Sequence, residues 1–165
     1  MKPSLEYLKT RIAVDIESGK AYWIDATKHH KALNGKEAGS PRRNGSGKYY
    51  WHVKIDSLAI KRSHIVFLFA TGKWPALQID HRNGNSLDDG FKNLREATQT
   101  QNAWNHKGRS KATDLPMGIR KLSSGMFQAR IACNKKTQTI GTFSTAESAL
   151  SAYQEKRNEL FGEFA

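Results

Sequence analysis

The stretch IDHRNGNSLDDGFKNLREATQTQNAWN (79–105) decides how this chain is interpreted. It places the carboxylate of Asp80 beside the imidazole of His81 and continues with turn residues. Its carboxamide-bearing end belongs to a segment with a helical pattern, 91–106. Hydrolysis of a phosphodiester needs oxygen ligands for a hard cation, a base for a water molecule and a scaffold that holds both. These residue types therefore predict a site that cuts nucleic acid.

The charge of the chain points to a polyanionic partner. Its 165 residues include 27 Lys and Arg against 15 Asp and Glu, which gives a formal net charge of +12. Such an excess neutralises phosphates and releases their counterions. No apolar run approaches the length of a membrane-spanning helix, and no signal-peptide pattern opens the chain. We therefore expect a nucleic acid, and no membrane, as partner.

The cysteine count limits how a metal site can be built. Cys133 is the single cysteine, so an intrachain disulfide and a cysteine-based zinc cluster are both excluded. We expect no zinc, and a site that is supported by side-chain contacts instead. A reducing compartment such as the cytoplasm fits this composition.

The N-terminal sixty residues have the pattern of strands and turns. Segments 12–16 and 21–25 are β-prone runs around a glycine turn, which predicts a hairpin. The polar segment 26–47 is predicted to be a loop, and the alternation in 48–56 predicts another strand. The apolar run SHIVFLFATG (63–72) is compatible with a buried strand or a short helix, and periodicity alone leaves both open.

The last fifty residues have a pattern of their own. GIRKL, MFQARIACN and KKTQTIGTF predict three short antiparallel strands, and STAESALSAYQEKRNELFG (144–162) predicts a helix. Ser144 and Glu147 have the spacing of a capping box at its start. We therefore expect an α+β chain with an N-terminal β-rich region (1–107, motif core 60–107), a linker (108–115) and a C-terminal domain (116–165).

Residues 63–105 resemble the HNH endonuclease family, in the branch common among phage-encoded and intron-encoded homing enzymes. The resemblance rests on DH at 80–81, Asn93 and Asn102 within DHRNGN…NLR…TQTQN. The preceding apolar segment SHIVFLF also resembles the family's, with His64 at the position where the family has a histidine. It implies a ββα-metal (His-Me finger) nuclease module that acts on double-stranded DNA.

The resemblance also implies a role for each motif residue. Asp80 and Asn102 would give oxygen ligands to one divalent cation, Mg²⁺ or Mn²⁺, which keeps several non-protein ligands. His81 would take the proton from the attacking water. Asn93 would brace the loop that orients His81. Asn105 remains an alternative to Asn102 as the ligand.

The remaining basic and histidine side chains of the N-terminal part have weaker predictions. Arg82 and Arg95 are predicted to reach phosphates, with a solvated basic face as the alternative. Three further histidines of this part are expected to be surface or strand residues rather than ligands: His29, His30 and His52.

Residues 118–165 resemble an APETALA-two/ethylene-response-factor DNA-binding domain. Gly-Ile-Arg at 118–120, the GMFQARI strand, Ile-Gly-Thr-Phe and the Ala-x-x-Ala-Tyr helix carry the resemblance, although Phe127 stands where the family usually has Trp. It implies a three-stranded sheet that lies in the major groove and packs on one helix.

Strand alternation then predicts which side chains of this domain face DNA. Ala129 and Ile131 would face the helix. The residues expected to face DNA bases or phosphates are Arg120, Lys121, Gln128, Arg130, Lys136, Thr137 and Thr139.

Together these observations predict a metal-dependent DNA endonuclease of the homing or nicking type. One catalytic site in a monomer cuts one strand per encounter, so we expect a monomer that nicks, in a bacterial or phage-infected cytoplasm. Two alternatives stay open: a DNA-binding regulator that uses the motif as a scaffold, and a protein that binds or cuts RNA. The target sequence is not predicted.

Overall fold

A computed structural model of the chain describes residues 2–26, 28–105, 115–133 and 136–164, without the side chains of 28–30. The chain forms two compact units, residues 1–99 and 100–165. Most of the predicted linker, 108–115, lies outside the described residues, so the predicted domain division stays a prediction.

The first unit consists of short strands around one central helix. Three antiparallel groups, β1–β2, β3–β4–β5 and β6–β7, make up its sheets. Its elements are α1 Leu5–Arg11, β1 Ile12–Asp15, β2 Lys20–Trp23, β3 Ser40–Arg43, β4 Tyr49–Ile55, β5 Leu58–Lys61, α2 Arg62–Thr71, β6 Gln78–His81 and β7 Leu94–Ala97, with 3-10 turns at Lys28–Leu33 and Phe91–Asn93.

The predicted hairpin and the strand at 48–56 are confirmed as β1–β2 and β4. The prediction of a continuous loop over 26–47 is wrong, because β3 forms there and pairs with β4 in antiparallel register from Ser40–His52 to Arg43–Tyr49. The sequence SPRR has little β-propensity of its own. Its extended conformation follows from hydrogen bonds to β4, which the local sequence does not encode.

The apolar run at 63–72 is helix α2, which resolves the open alternative. Gly72 ends the helix in the left-handed region, with φ of 76°, and its N–H bonds the carbonyl of Leu68 at 2.8 Å. Ile65 and Leu68 enter the main core, whereas Val66 packs with Ile79 and Leu94 of the β6–β7 hairpin. Because α2 contacts apolar neighbours on both sides, its sequence lacks the one-sided periodicity of a surface helix.

The prediction of one continuous helix over 91–106 is wrong. Phe91–Asn93 is a 3-10 turn, Leu94–Ala97 is β7, and only Gln99–Trp104 is helical (α3). Leu94 and Ala97 are buried in a strand that pairs with β6, so tertiary pairing overrides the helical spacing of these residues.

The second unit has the predicted three-stranded sheet packed on one helix. Its elements after α3 are β8 Ile119–Lys121, β9 Phe127–Cys133, β10 Lys136–Phe143 and α4 Ala146–Phe161, with sheet order β10–β9–β8. Ala129 and Ile131 are buried between the sheet and α4, together with Ala149 and Tyr153.

The start of α4 differs from the predicted capping box by one residue. Thr145, not Ser144, is the N-cap, and its hydroxyl accepts the N–H of Ser148 at 3.2 Å. Within the described part of the chain, no helix combines the length and the apolar character needed to cross a membrane.

Candidate functional site

Asp80 and Arg95 lie opposite each other on the two strands of the β6–β7 hairpin. Nε and Nη2 of Arg95 each lie 2.8 Å from Oδ2 of Asp80, and both side chains are buried. This charge-assisted contact holds the carboxylate in one orientation at the end of β6.

His81 follows Asp80 on β6, and successive strand side chains point to opposite faces. Its Nε2 lies 3.0 Å from Oδ1 of Asp89, and the other oxygen of Asp89 accepts Nε–H of Arg62 at 2.9 Å. Nη1 of Arg62 lies 2.6 Å from Oε1 of Glu37, and its guanidinium carbon lies 4.2 Å from the ring centroid of Trp51. A chain of contacts therefore runs from His81 through the buried side chains of Asp89 and Arg62 to the exposed Glu37 and to Trp51 on β4.

Asn93 holds the loop that connects His81 to Asp89. Its Oδ1 accepts the N–H of Asn83 at 3.0 Å, and its Nδ2 donates to the carbonyl of Asp88 at 2.7 Å. The N–H of Arg82 also bonds the carbonyl of Asn93 at 2.8 Å. The loop is thus fastened at both ends by one half-buried carboxamide.

Two neighbouring segments support the same loop. The N–H of Phe91 bonds the carbonyl of Ile16 at 2.9 Å, in the turn between β1 and β2. Gly19 of this turn has φ of 70°, and a Cβ at that position would lie 2.1 Å from the carbonyl carbon of Asp89. Ser86 donates to the carbonyl of Tyr49 at 2.6 Å, which links the loop to β4.

The predicted second metal ligand lies on a different unit. Asn102 is half-buried on α3, and Asn105 follows directly after that helix. The pairing of Asp80 with Asn102 stays a prediction. Among residues 2–26, 28–105, 115–133 and 136–164, no group of three or more His, Cys, Asp or Glu side chains is arranged to hold a metal ion.

The two arginines predicted to contact phosphates differ in their surroundings. Arg82 is exposed, directly after His81. Arg95 is buried, with its Nε and Nη2 facing Oδ2 of Asp80. This burial contradicts the alternative of a solvated face for Arg95, whereas its predicted phosphate contact stays a prediction.

The other histidines have structural surroundings where their side chains are described. His52 lies half-buried on β4, with Nδ1 3.1 Å from the carbonyl of Tyr50. His64 lies on α2, where burial, then the charges of Lys61 and Lys2, lower its pKa to about 4. The side chains of His29 and His30 lie outside the described part.

Candidate DNA-contacting residues of the second unit lie on its sheet. Nε–H of Arg120 donates to Oε1 of Gln128 at 3.1 Å, between neighbouring strands. Lys121 lies over the ring of Phe127, with Nζ 5.8 Å from the centroid. Arg130 is half-buried, and the exposed candidates on β10 are Lys136, Thr137 and Thr139.

The sequence analysis missed Asp89, Arg62 and Glu37. Asp89 follows Asp88 in the DDG sequence, and a second carboxylate eight residues after His81 was the available signal. Arg62 lies 27 residues before Asp89, in front of the apolar run, and nothing in its local sequence indicates a buried guanidinium.

Comparisons with known proteins show sequence similarity over the region that contains this motif. A family model described as HNH endonuclease matches residues 61–104. The uncharacterised HNH endonuclease L560 of Acanthamoeba polyphaga mimivirus is 33% identical over 121 residues, which cover 72% of this chain and 63% of that protein. Protein 3.8 of Escherichia phage T7 is 33% identical over 110 residues, which cover 63% of this chain and 88% of that protein.

A solved structure of the HNH homing endonuclease I-HmuI, described for its DNA binding and cleavage, has a TM-score of 0.44 and 21% identity. The match covers 64% of this chain and 57% of that one, a similarity too low to support an argument about function. This chain spans less than two thirds of the length of the mimivirus protein. Residues 61–104, which include the β6–β7 motif, therefore match the HNH endonuclease family, and the chain is similar over 121 residues to a mimivirus protein described as an HNH endonuclease.

Proposed function

We propose that this protein is a metal-dependent endonuclease that hydrolyses phosphodiester bonds in double-stranded DNA. The observation that carries the proposal is the pair Asp80–His81 at the end of β6, where each side chain is held by its own buried partner. Groups fixed before the substrate arrives need little reorganisation during the reaction. The +12 charge of the chain supports a nucleic acid as substrate.

The oxygen donors of the motif fit a hard divalent cation. Asp80 offers a carboxylate and Asn102 a carboxamide oxygen, which are ligand types that Mg²⁺ and Mn²⁺ accept alongside water and phosphate. When bound, the cation would stabilise negative charge on the phosphate and on the departing oxygen.

His81 would act as the general base for the attacking water. The water oxygen forms a bond to phosphorus, its proton passes to the neutral imidazole, and the bond from phosphorus to the leaving sugar oxygen breaks. Asn93 would keep His81 in place through its two bonds to the loop, and exposed Arg82 would contact a phosphate next to the cut.

The sheet of the second unit would hold the substrate. Arg120, Gln128 and Thr139 lie on neighbouring strands, and a sheet of this width fits the major groove. Lys121 and Lys136 would contact phosphates. We propose that this unit, similar in pattern to the APETALA-two/ethylene-response-factor domain, gives the nuclease its preference for certain sites as a homing or nicking enzyme.

Cleavage of supercoiled plasmid tests the proposal. We expect nicked circles with Mg²⁺ or Mn²⁺, no cutting with a chelator, and loss of cutting in His81→Ala but not in His52→Ala, the matched control. Wild-type protein that binds DNA without metal-dependent cutting would indicate the regulator instead. A preference for structured RNA over duplex DNA in competition would contradict the choice of substrate.

A further inference from the structure

The structure assigns Asp89 as the positioning residue of His81, with Arg62 fixing the orientation of Asp89. This inference rests on the proposed function of His81 as a general base. It starts from the contact between Nε2 of His81 and Oδ1 of Asp89 at 3.0 Å, in which both side chains are buried.

Asp89 is one of the most buried side chains of the chain, with 1% of its surface exposed. A carboxylate in such a place needs hydrogen bonds to both oxygens. Arg62 supplies one through Nε at 2.9 Å, and His81 supplies the other. The guanidinium is itself held by Glu37 and by the face of Trp51.

This arrangement selects one tautomer of His81. A carboxylate paired with a guanidinium accepts hydrogen bonds and donates none. The ring nitrogen that faces Asp89 must therefore carry the hydrogen, so a neutral His81 has Nε2–H and keeps its lone pair on Nδ1. Nδ1 is then the nitrogen that would receive the proton of the attacking water.

Arg62 makes the effect of an amide at position 89 predictable. Arg62 only donates, so in Asp89→Asn the amide oxygen must face Arg62. The amide NH₂ would then face His81 and donate to Nε2, and the imidazole hydrogen would move to Nδ1. The variant keeps the shape of the site but removes the lone pair from the side that serves as base.

The expected result is a loss in kcat without a matching change in KM. A reversed tautomer in a comparable hydrogen-bonded base lowers kcat on the order of 10²- to 10⁴-fold. Asp25→Asn is the matched control, because Asp25 is also paired with an arginine, Arg11, but is largely exposed and lies outside the site.

The double variant Arg62→Met/Asp89→Asn distinguishes an effect of the amide's orientation at residue 89 from a general structural defect. Without the guanidinium, the amide of residue 89 is able to turn its oxygen toward Nε2–H, which restores the original tautomer. Glu37 retains solvent contact and loses little. We expect kcat of the double variant to be at least about tenfold higher than kcat of Asp89→Asn. If the loss in Asp89→Asn came from a structural defect alone, the second substitution would lower kcat further.

The ¹⁵N shifts of the His81 ring give a readout that does not depend on cutting. In the full chain at neutral pH, with His81→Gln used for assignment, we expect Nε2–H in wild type and Nδ1–H in Asp89→Asn. The wild-type measurement needs no folded variant. An Nδ1–H ring in wild type, or unchanged tautomer and kcat in Asp89→Asn, would overturn the assignment. A wild-type chain with the expected tautomer that cuts no DNA would overturn the proposed function instead.

Discussion

Oδ2 of Asp80 accepts the Nε–H of Arg95 at 2.8 Å across the β6–β7 hairpin, and Nη2 of Arg95 forms a salt bridge to the same oxygen, also at 2.8 Å. The proposed metal ligand is therefore neutralised by a buried guanidinium within its own unit. The pair has a consequence for folding that is separate from cleavage, since removal of one partner from a buried ion pair costs more than removal of both.

Asp80→Ala should abolish cutting and lower the free energy of unfolding by about 3–5 kcal/mol, because it removes the partner of a buried guanidinium. The double variant Asp80→Ala/Arg95→Met should be more stable than Asp80→Ala and equally inactive. Urea unfolding in the presence of a chelator measures the free energies of unfolding of both variants. Strictly additive losses in the double variant would show that the pair is not coupled in the folded chain.

Asn93→Ala should lower kcat by about 10- to 100-fold, as expected for a group that orients a catalytic residue. The cause is the loss of two hydrogen bonds that fasten the loop through Asn83 and Asp88. Asn44→Ala is the control, because Asn44 braces the β3–β4 turn in a similar way, away from the site. Plasmid nicking kinetics would count against the bracing role if both variants retained full kcat.

Gly19→Ala should destabilise the protein by about 2–4 kcal/mol and lower kcat, although Gly19 makes no side-chain contact. A methyl group there would lie 2.1 Å from the carbonyl carbon of Asp89, in a residue with φ of 70°. Gly35→Ala is the control that carries the backbone strain without the steric contact, because Gly35 has φ of 80° and open space around its Cβ position. Equal losses of stability and kcat in the two variants would contradict the proposed contact with Asp89.

The sequence predicted the parts of the site that are close along the chain. Asp80, His81 and Asn93 were identified from their spacing, and the strands and helix of the second unit from alternation and turn residues. The geometry now places Asp80 and His81 in buried pairs and shows Asn93 bonded to the loop after His81. The catalytic roles of all three stay predictions.

The unpredicted parts depend on contacts between distant segments. Asp89 meets Arg62 across 27 residues, and the turn at Gly19 meets Asp89 across about seventy. The helical spacing of Leu94 and Ala97 gave a wrong element because their pairing with β6 decides the backbone conformation. An ion pair between distant segments leaves no local pattern in the sequence, which is why Arg62 and Glu37 were missed.

His64 should make folding sensitive to mildly acidic pH. Burial first, then Lys61 and Lys2, lower its pKa from 6.5 to about 4. A lowered pKa means that the unfolded chain binds the proton more readily, so stability is fully present above pH 6.5 and declines as the pH falls toward 4.

The expected loss from His64 between pH 7.5 and pH 5 is about 2 kcal/mol. Other groups also titrate in this range, so the measurement compares the pH dependence of urea unfolding in wild type and in His64→Gln. The wild type should lose more stability on acidification by roughly that amount. Parallel curves for the two proteins would show that the pKa of His64 is not lowered in the folded chain.

Lys121→Gln and Lys136→Gln should each weaken duplex DNA binding equally across sequences and leave kcat unchanged. Each lost phosphate contact should reduce the slope of log K against log salt by about 0.9. Gln128→Ala should instead alter the preference among cleavage sites, because a base contact discriminates and a phosphate contact does not. Lys156→Gln on α4 is the control, since Lys156 pairs with Glu159 on the helix that packs behind the sheet. A salt slope that changes in Lys156→Gln but not in the sheet variants would show that DNA lies on the helix side of the second unit.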